Sequence, residues 1–389
     1  MFAFLRAARK LRVTIIAVLS LGLLAACGDM PNTAGQRIDT SRPVPVALLV
    51  PAGGDNEADD AMAQSLENAA RLAMGELQGV TIDLRVYNTA GSATQAGTVA
   101  REAVNDGAKI ILGPVYAANA ASAGAAAGGV NVLAFSNNPE VAGGNVFVLG
   151  NTFQNTANRL VRYAAASDKG NILIVNGENS AERSGAQAIA RAISATPGAE
   201  QAGALSFEVS QTGVIDAVRD ISDTAKSSGA DAIFLTSGTD GAIPFLAQLL
   251  PENGLPPSEI QYVGLQRWDI PTSARTLPGL QDGWFAMPDP NLQEQFQSRY
   301  MAAYGNQPHA IAGLAYDGIA AIGALVRAGQ ADALTGAALT QAQGFVGVNG
   351  VFRLRGDGTA ERGLAIAQVQ DKEIVVIDPA PRSFAGAGS

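Results

Sequence analysis

A chain of 389 residues, 47% hydrophobic and 16% charged, is long enough for two α/β domains and too apolar to be disordered. Its formal charge of −9, without a basic stripe, argues against a nucleic-acid partner. One cysteine and one histidine exclude an internal disulfide and any His/Cys metal cluster, so no metal is expected.

Residues 1–26 join Arg6, Arg9, Lys10 and Arg12 to an uncharged run from Val13 to Ala26, the form of a secretory signal rather than a spanning helix. Leu24-Ala25-Ala26-Cys27 resembles the bacterial lipobox, which implies that Cys27 is diacylated, becomes the new N-terminus and holds the chain to a membrane facing the periplasm. Gly28 after the cysteine resembles the sorting pattern of outer-membrane lipoproteins. Residues 27–43 are polar and aperiodic and read as a flexible tether.

Val46-Ala47-Leu48-Leu49-Val50 reads as the first strand, stopped by Pro51. Acidic residues from Asp55 to Asp60 open a helix with an apolar stripe through Leu66, Ala69, Ala70, Leu72 and Ala73. A second strand, Ile82 to Tyr87, ends at Asn88. Ile110-Ile111-Leu112 stops abruptly at Gly113-Pro114 between helices Thr94 to Asn105 and Ala117 to Ala127. An apolar run so bounded predicts a strand buried on both faces. Strands Val130 to Phe135 and Asn145 to Leu149 complete the first series.

The same alternation restarts after Asn151, from the helix Phe153 to Ala166 to a last strand at Ile260 to Val263. It predicts two mainly parallel sheets flanked by helices, with right-handed crossovers. Beyond it, helices are expected over Leu292 to Tyr304 and Ile311 to Arg327, followed by the stretch Leu334 to Gln343. A strand then runs from Gly350 into the turn Gly356-Asp357-Gly358, followed by a hairpin, Leu364 to Val369 with Ile374 to Ile377. Residues 379–389 read as a disordered end.

Ligands of open α/β sheets bind beyond the carboxyl ends of the strands, which selects Pro51, Asn88, Pro114, Tyr116, Ala117, Ser136, Thr236 and Ser237 as candidate cleft residues. Gln266-Arg267-Trp268-Asp269, at the end of the last strand, is the richest binding segment, because Trp beside Arg suits a ligand floor or an interface. No catalytic residue is expected. His309 has no nucleophile elbow beside it, and none of the five lysines has a serine three positions before it. Phosphate-loop glycine spacings are missing too, so no cofactor is implied. Tyr316-Asp317 reads as helix packing and a hydrogen bond.

In order and spacing, four segments resemble the type I periplasmic binding proteins of the leucine/isoleucine/valine-binding kind. They are Val46 to Pro51, Ile110 to Pro114, Ala315-Tyr316-Asp317-Gly318, and Phe345 to Phe352 with Gly356-Asp357-Gly358. The resemblance implies two α/β lobes with a ligand cleft between them. The first lobe would be Val44 to Gly150 plus Gly283 to Thr340, and the second Asn151 to Asp282 plus residues 341–378. The family's ligand-holding positions would fall on Ala117, Asn137, Ser184 and Gln266, none of which keeps the family residue. A buried ammonium without a carboxylate costs several kcal/mol, so a free amino acid is disfavoured unless Glu178 or Asp269 substitutes. The chain also resembles the penicillin-binding protein activators, lipoproteins of this fold, which implies a non-catalytic partner of a peptidoglycan synthase. The alternative is the substrate-binding component of an ABC transporter for amino acids, amides or small peptides, with a small molecule in the cleft.

Overall fold

The computed structural model describes residues 35–384; the signal segment, Cys27 and Gly28 lie outside them. Five parallel strands, β1 (Val44–Val50), β2 (Ile82–Asn88), β3 (Ile110–Leu112), β4 (Asn131–Ala134) and β5 (Val146–Val148), form one sheet in the order β2-β1-β3-β4-β5. Successive side chains of a strand point to opposite faces. Val46, Leu48 and Val50 accordingly pack with α1 (Glu57–Glu76), α8 (Pro290–Tyr304) and α9 (Ala312–Arg327), while Ala47 and Leu49 pack with α2 (Ala93–Asn105) and α3 (Ala117–Ala126). In β3, Ile110 and Leu112 join the first set and Ile111 the second. Burial on both faces is why the segment carries no polar alternation. Helix α1 begins where Asn56 accepts the Ala58 N–H at 3.1 Å, and Glu57, Asp59 and Asp60 sit at its positive end.

The second sheet has seven strands. In chain order α4 (Phe153–Ala166) precedes β6 (Asn171–Gly177), α5 (Ser180–Ser194) β7 (Glu200–Phe207), and α6 (Gln211–Ser228) β8 (Ala232–Leu235). Next come α7 (Ile243–Glu252), β9 (Gln261–Gly264) and β10 (Trp284–Met287), with β14 (Ala365–Gln370) and β15 (Glu373–Asp378) added from the far end of the chain. The order is β15-β14-β10-β9-β8-β6-β7, parallel from β10 to β7 and antiparallel at β14 and β15.

Four expectations need correction. First, β10 is a further strand of the second sheet, pairing Trp284 with Val263, so the second crossing between lobes falls at residues 288–289 and not near Asp282. Second, beyond the single turn α10 (Gly336–Leu339), β11 (Phe345–Gly347), β12 (Gly350–Leu354) and β13 (Ala360–Arg362) form a small antiparallel sheet. Its Phe345, Phe352, Leu354 and Ala360 bury into the first-lobe core, so residues 341–362 belong to the first lobe and the third crossing lies at residues 363–364. Third, part of the expected tether is docked. Ile38 is buried in the same core, and the Gly35 and Ile38 N–H groups donate to Gly129 O and Ala331 O at 2.7 and 2.8 Å. Fourth, the expected disorder does not hold for residues 379–384, where Ala380 and Phe384 are buried and Arg353 lies 4.6 Å over the Phe384 ring.

Candidate functional site

The strand ends of the first lobe carry about half of the candidates, and Tyr116 and Ser136 among them are engaged within that lobe. At Gly113 φ is +85°, and a Cβ would stand 2.2 Å from Leu49 O, so only glycine fits where β3 turns into buried Pro114. Tyr116 precedes Ala117, the first residue of α3, and its hydroxyl donates to buried Asp59. That hydrogen bond, and then burial, push the phenol up to about 12. Ser136 is buried and its Oγ accepts the Asn138 N–H at 3.1 Å, whereas Asn137, like Asn88, is exposed. Pro51 is buried at the end of β1.

In the second lobe, Thr236 and Ser237 do not face a cleft. Both are buried and donate to Glu182 Oε2, at 2.8 and 2.6 Å. Glu178 and Ser184 are exposed, and the Glu178 carbonyl accepts from Arg183. Trp268 is a core residue, fully buried against Phe285. A Cβ at Gly264 would stand 2.4 Å from its indole, so the ring takes space that glycine vacates. Trp268 is therefore no ligand floor, because apolar burial takes the whole ring. Asp269 is no ready ammonium partner either: Arg267 grips it through Nε and Nη2 at 2.9 and 2.5 Å.

Of the candidates, Gln266 and Arg267 line a cavity of about 350 Å³ between the lobes. From the second lobe it is walled by Phe153, Thr156, Leu265 and Leu364, and from the first by Gln293, Ile311, Leu314 and Asn349. Gln266 is fixed by its Nε2, which donates to Thr236 O at 2.9 Å. Arg362 also lines the cavity, 5% exposed, and its Nη1 pairs with Asp317 at 2.8 Å. Its Nη2 is buried and has no hydrogen-bond partner in the protein. No Asp or Glu lines the cavity, while two guanidinium groups and the amides of Asn151, Gln266, Gln293 and Asn349 do. Such walls suit an apolar body with an acceptor or anionic head.

Sequence reasoning missed Arg362, Gln293, Ile311 and Phe153. Phe153, Gln293 and Ile311 belong to helix starts and Arg362 to the end of an antiparallel strand, β13, outside the two parallel sheets, and only their convergence in space reveals them. Tyr316-Asp317 proves to be packing: Tyr316 donates to Glu76 at 2.5 Å, and Asp317 is fully buried.

His309 sits beside the cavity wall. Its N–H donates to Ser65 Oγ at 2.7 Å, and its Nδ1 accepts the Ile311 N–H at 3.4 Å. Although His309 is exposed as a residue, partial desolvation of its ring lowers the imidazole pKa below 6.5. The unfolded chain then binds the proton more readily, so the group's contribution to stability is present at neutral pH and lost as pH falls below 6.5. An NMR titration of this single imidazole should give a midpoint under 6.5; one at or above it would contradict the geometry. Among the described residues no helix is long and apolar enough to cross a membrane, and no group of three His, Cys, Asp or Glu could hold a metal.

The sequence model of the periplasmic binding protein family matches residues 43–373. The chain belongs to the periplasmic binding protein family. Its two-lobed α/β architecture recurs in solved structures. A Rhodospirillum rubrum protein described as a branched-chain amino acid ABC transporter is 19% identical with a TM-score of 0.71, matching 86% of this chain and 100% of its own. A substrate-binding protein from Desulfitobacterium hafniense, in complex with Leu, is 18% identical with a TM-score of 0.62, over 86% of this chain and 100% of its own. A solute binding protein from Rhodopseudomonas palustris, in complex with 3,4-dihydroxy benzoic acid, is 18% identical with a TM-score of 0.58, over 87% and 96%. At these identities the likeness is one of fold. No curated protein sequence matches the chain.

Proposed function

We propose that this periplasmic binding protein is a non-catalytic solute receptor, the substrate-binding component of an ABC transporter, whose interlobe cavity takes a small organic carboxylate without a cationic group. The cavity's donor pattern supports the reading: the unpartnered Nη2 of Arg362, the Arg267 guanidinium and four amides beside an apolar wall, with both arginines' counter-ions, Asp317 and Asp269, outside the lining. An α-ammonium placed there would meet no lining carboxylate, since Asp269 is taken by Arg267. The fold neighbours include a protein bound to leucine and one bound to an aromatic acid; the walls described above suit the second chemistry better. The synthase-activator expectation gains no support from these neighbours.

Thermal-shift screening decides between the readings. Aliphatic and aromatic carboxylates should stabilise the protein by RT ln(1 + [L]/Kd), about 2.7 kcal/mol at 100 Kd, and free amino acids should not. Stabilisation by amino acids with carboxylates silent would reverse the ligand class. Silence throughout, with capture of a peptidoglycan synthase in a pull-down, would restore the activator reading.

The lipobox-like Leu24 to Cys27 supports lipid anchoring, with Gly28 favouring the outer membrane. Cys27→Ala should move the protein from the membrane to the soluble fraction; unchanged fractionation would count against the anchor.

A further inference from the structure

A second concave site lies across the first turns of α4 from the cleft. Phe153 and Thr156 face the cleft cavity, whereas Gln154, Asn158 and Arg162, four residues apart along one side of the helix, face a separate hollow of about 480 Å³. Its walls come from both lobes: α4 and Arg191 of α5 on one side, and the β12–β13 turn with Arg355, Asp357 and Glu361 on the other.

Three arginines ring this hollow on a chain of net charge −9. Arg191 is held by its Nε, which donates to Gln154 Oε1 at 2.7 Å, and Gln154 is in turn fixed by donating to Asn158 Oδ1 at 2.8 Å. Arg162 is held by its Nε on Asn158 O at 3.0 Å. Among the described residues neither has a carboxylate within ion-pair distance, so each presents a positioned fork of Nη donors. The two acids of the lining sit on the side of the β12–β13 turn and pair with neither Arg162 nor Arg191. Glu361 is gripped by Arg353 at 2.9 and 2.7 Å and stands 3.7 Å from Arg355. Asp357 accepts the Thr359 N–H and hydroxyl at 2.9 and 2.6 Å. Guanidinium forks fixed at Nε and left open at Nη match the oxygens of a tetrahedral oxyanion two at a time.

We propose that this hollow is a second ligand site, for a multiply charged oxyanion of the phosphate class held by Arg162, Arg191 and Arg355. An anion there touches both lobes.

The shared chemistry is a phosphate group, free or on a lipid, and two arms separate the sources. Calorimetric titration of the full chain with pyrophosphate should show one saturable site. In Arg162→Gln/Arg191→Gln its Kd should rise by about tenfold or more, because two charge-assisted forks are lost, while Arg219→Gln, an exposed arginine paired with Asp223 elsewhere on α6, should change nothing. In the second arm, Cys27→Ala protein, which carries no acyl anchor, is sedimented with phosphatidylglycerol vesicles. Capture there that the double variant loses, with pyrophosphate silent, assigns the phosphate to a lipid headgroup. Circular dichroism melting checks that the double variant folds; if it does not, the single variants replace it, each expected to raise the same Kd. No saturable binding in either arm, or binding equal in wild type and both variants, overturns the proposal.

Discussion

Replacing Asp317 by alanine is expected to remove about 3–5 kcal/mol of folding stability, seen as a lowered urea or thermal midpoint. The carboxylate is fully buried; Oδ1 accepts the Val348 N–H at 2.7 Å, and Oδ2 accepts from Asn349 Nδ2 and Arg362 Nη1 at 3.1 and 2.8 Å. Arg362 also donates through Nε to Leu149 O at 2.8 Å and lies 4.8 Å over the Phe352 ring. These contacts tie α9 and the β11–β12 turn to the first and third crossings. Alanine at 317 would strand a guanidinium in the interior without its counter-ion, and that uncompensated charge outweighs the attraction lost. The double variant Asp317→Leu/Arg362→Met removes both charges, so it should lose less than the two single variants summed. A wild-type midpoint for Asp317→Ala would mean that the pair adds nothing.

How legible this was in the sequence depended on range. Ile110-Ile111-Leu112 announced its two-face burial because strand periodicity is local, and the Gly113 turn that ends it is equally local. Trp284 to Met287 escaped notice because a four-residue apolar run between loops looks the same as a buried loop until Val263 pairs with it. Residues 345–362 contain a recognisable strand and turn, Gly350 to Gly358, but nothing in their pattern says which core Phe352 enters. At the site, rules about strand ends located Gln266 and Arg267. They could not foresee that Tyr116 turns to Asp59, that Arg267 occupies Asp269, or that Arg362 reaches the cavity from the end of β13. Those are pairings between side chains distant in sequence, and composition leaves them open.

Thr236 and Ser237 show what such a pairing does to function, and Glu182→Ala tests it. Glu182 is 7% exposed at the start of α5; its Oε2 accepts the Gly177 N–H at 2.6 Å as well as both hydroxyls, and its Oε1 accepts Asn179 Nδ2 at 3.1 Å. Asn179 returns a bond, accepting the Glu182 N–H at 2.9 Å, so the two residues cap the helix reciprocally. Alanine would leave the buried Gly177 N–H and Ser237 hydroxyl without their acceptor and the Thr236 hydroxyl with only Val175 O at 3.5 Å, at an expected cost of about 3 kcal/mol. Glu182→Gln keeps one acceptor oxygen but replaces the other with an amide that only donates, so its loss should be intermediate. The effect should also reach the cleft. The Thr236 carbonyl orients Gln266, which lines the cavity, so loosening the loop after β8 should weaken ligand binding in the order wild type, Glu182→Gln, Glu182→Ala. Urea midpoints and the Kd of a carboxylate that binds wild type would be measured on all three proteins. Unchanged midpoints would remove Glu182 from the account of stability; lowered midpoints with a constant Kd would show that the Thr236 to Gln266 link does not reach the ligand.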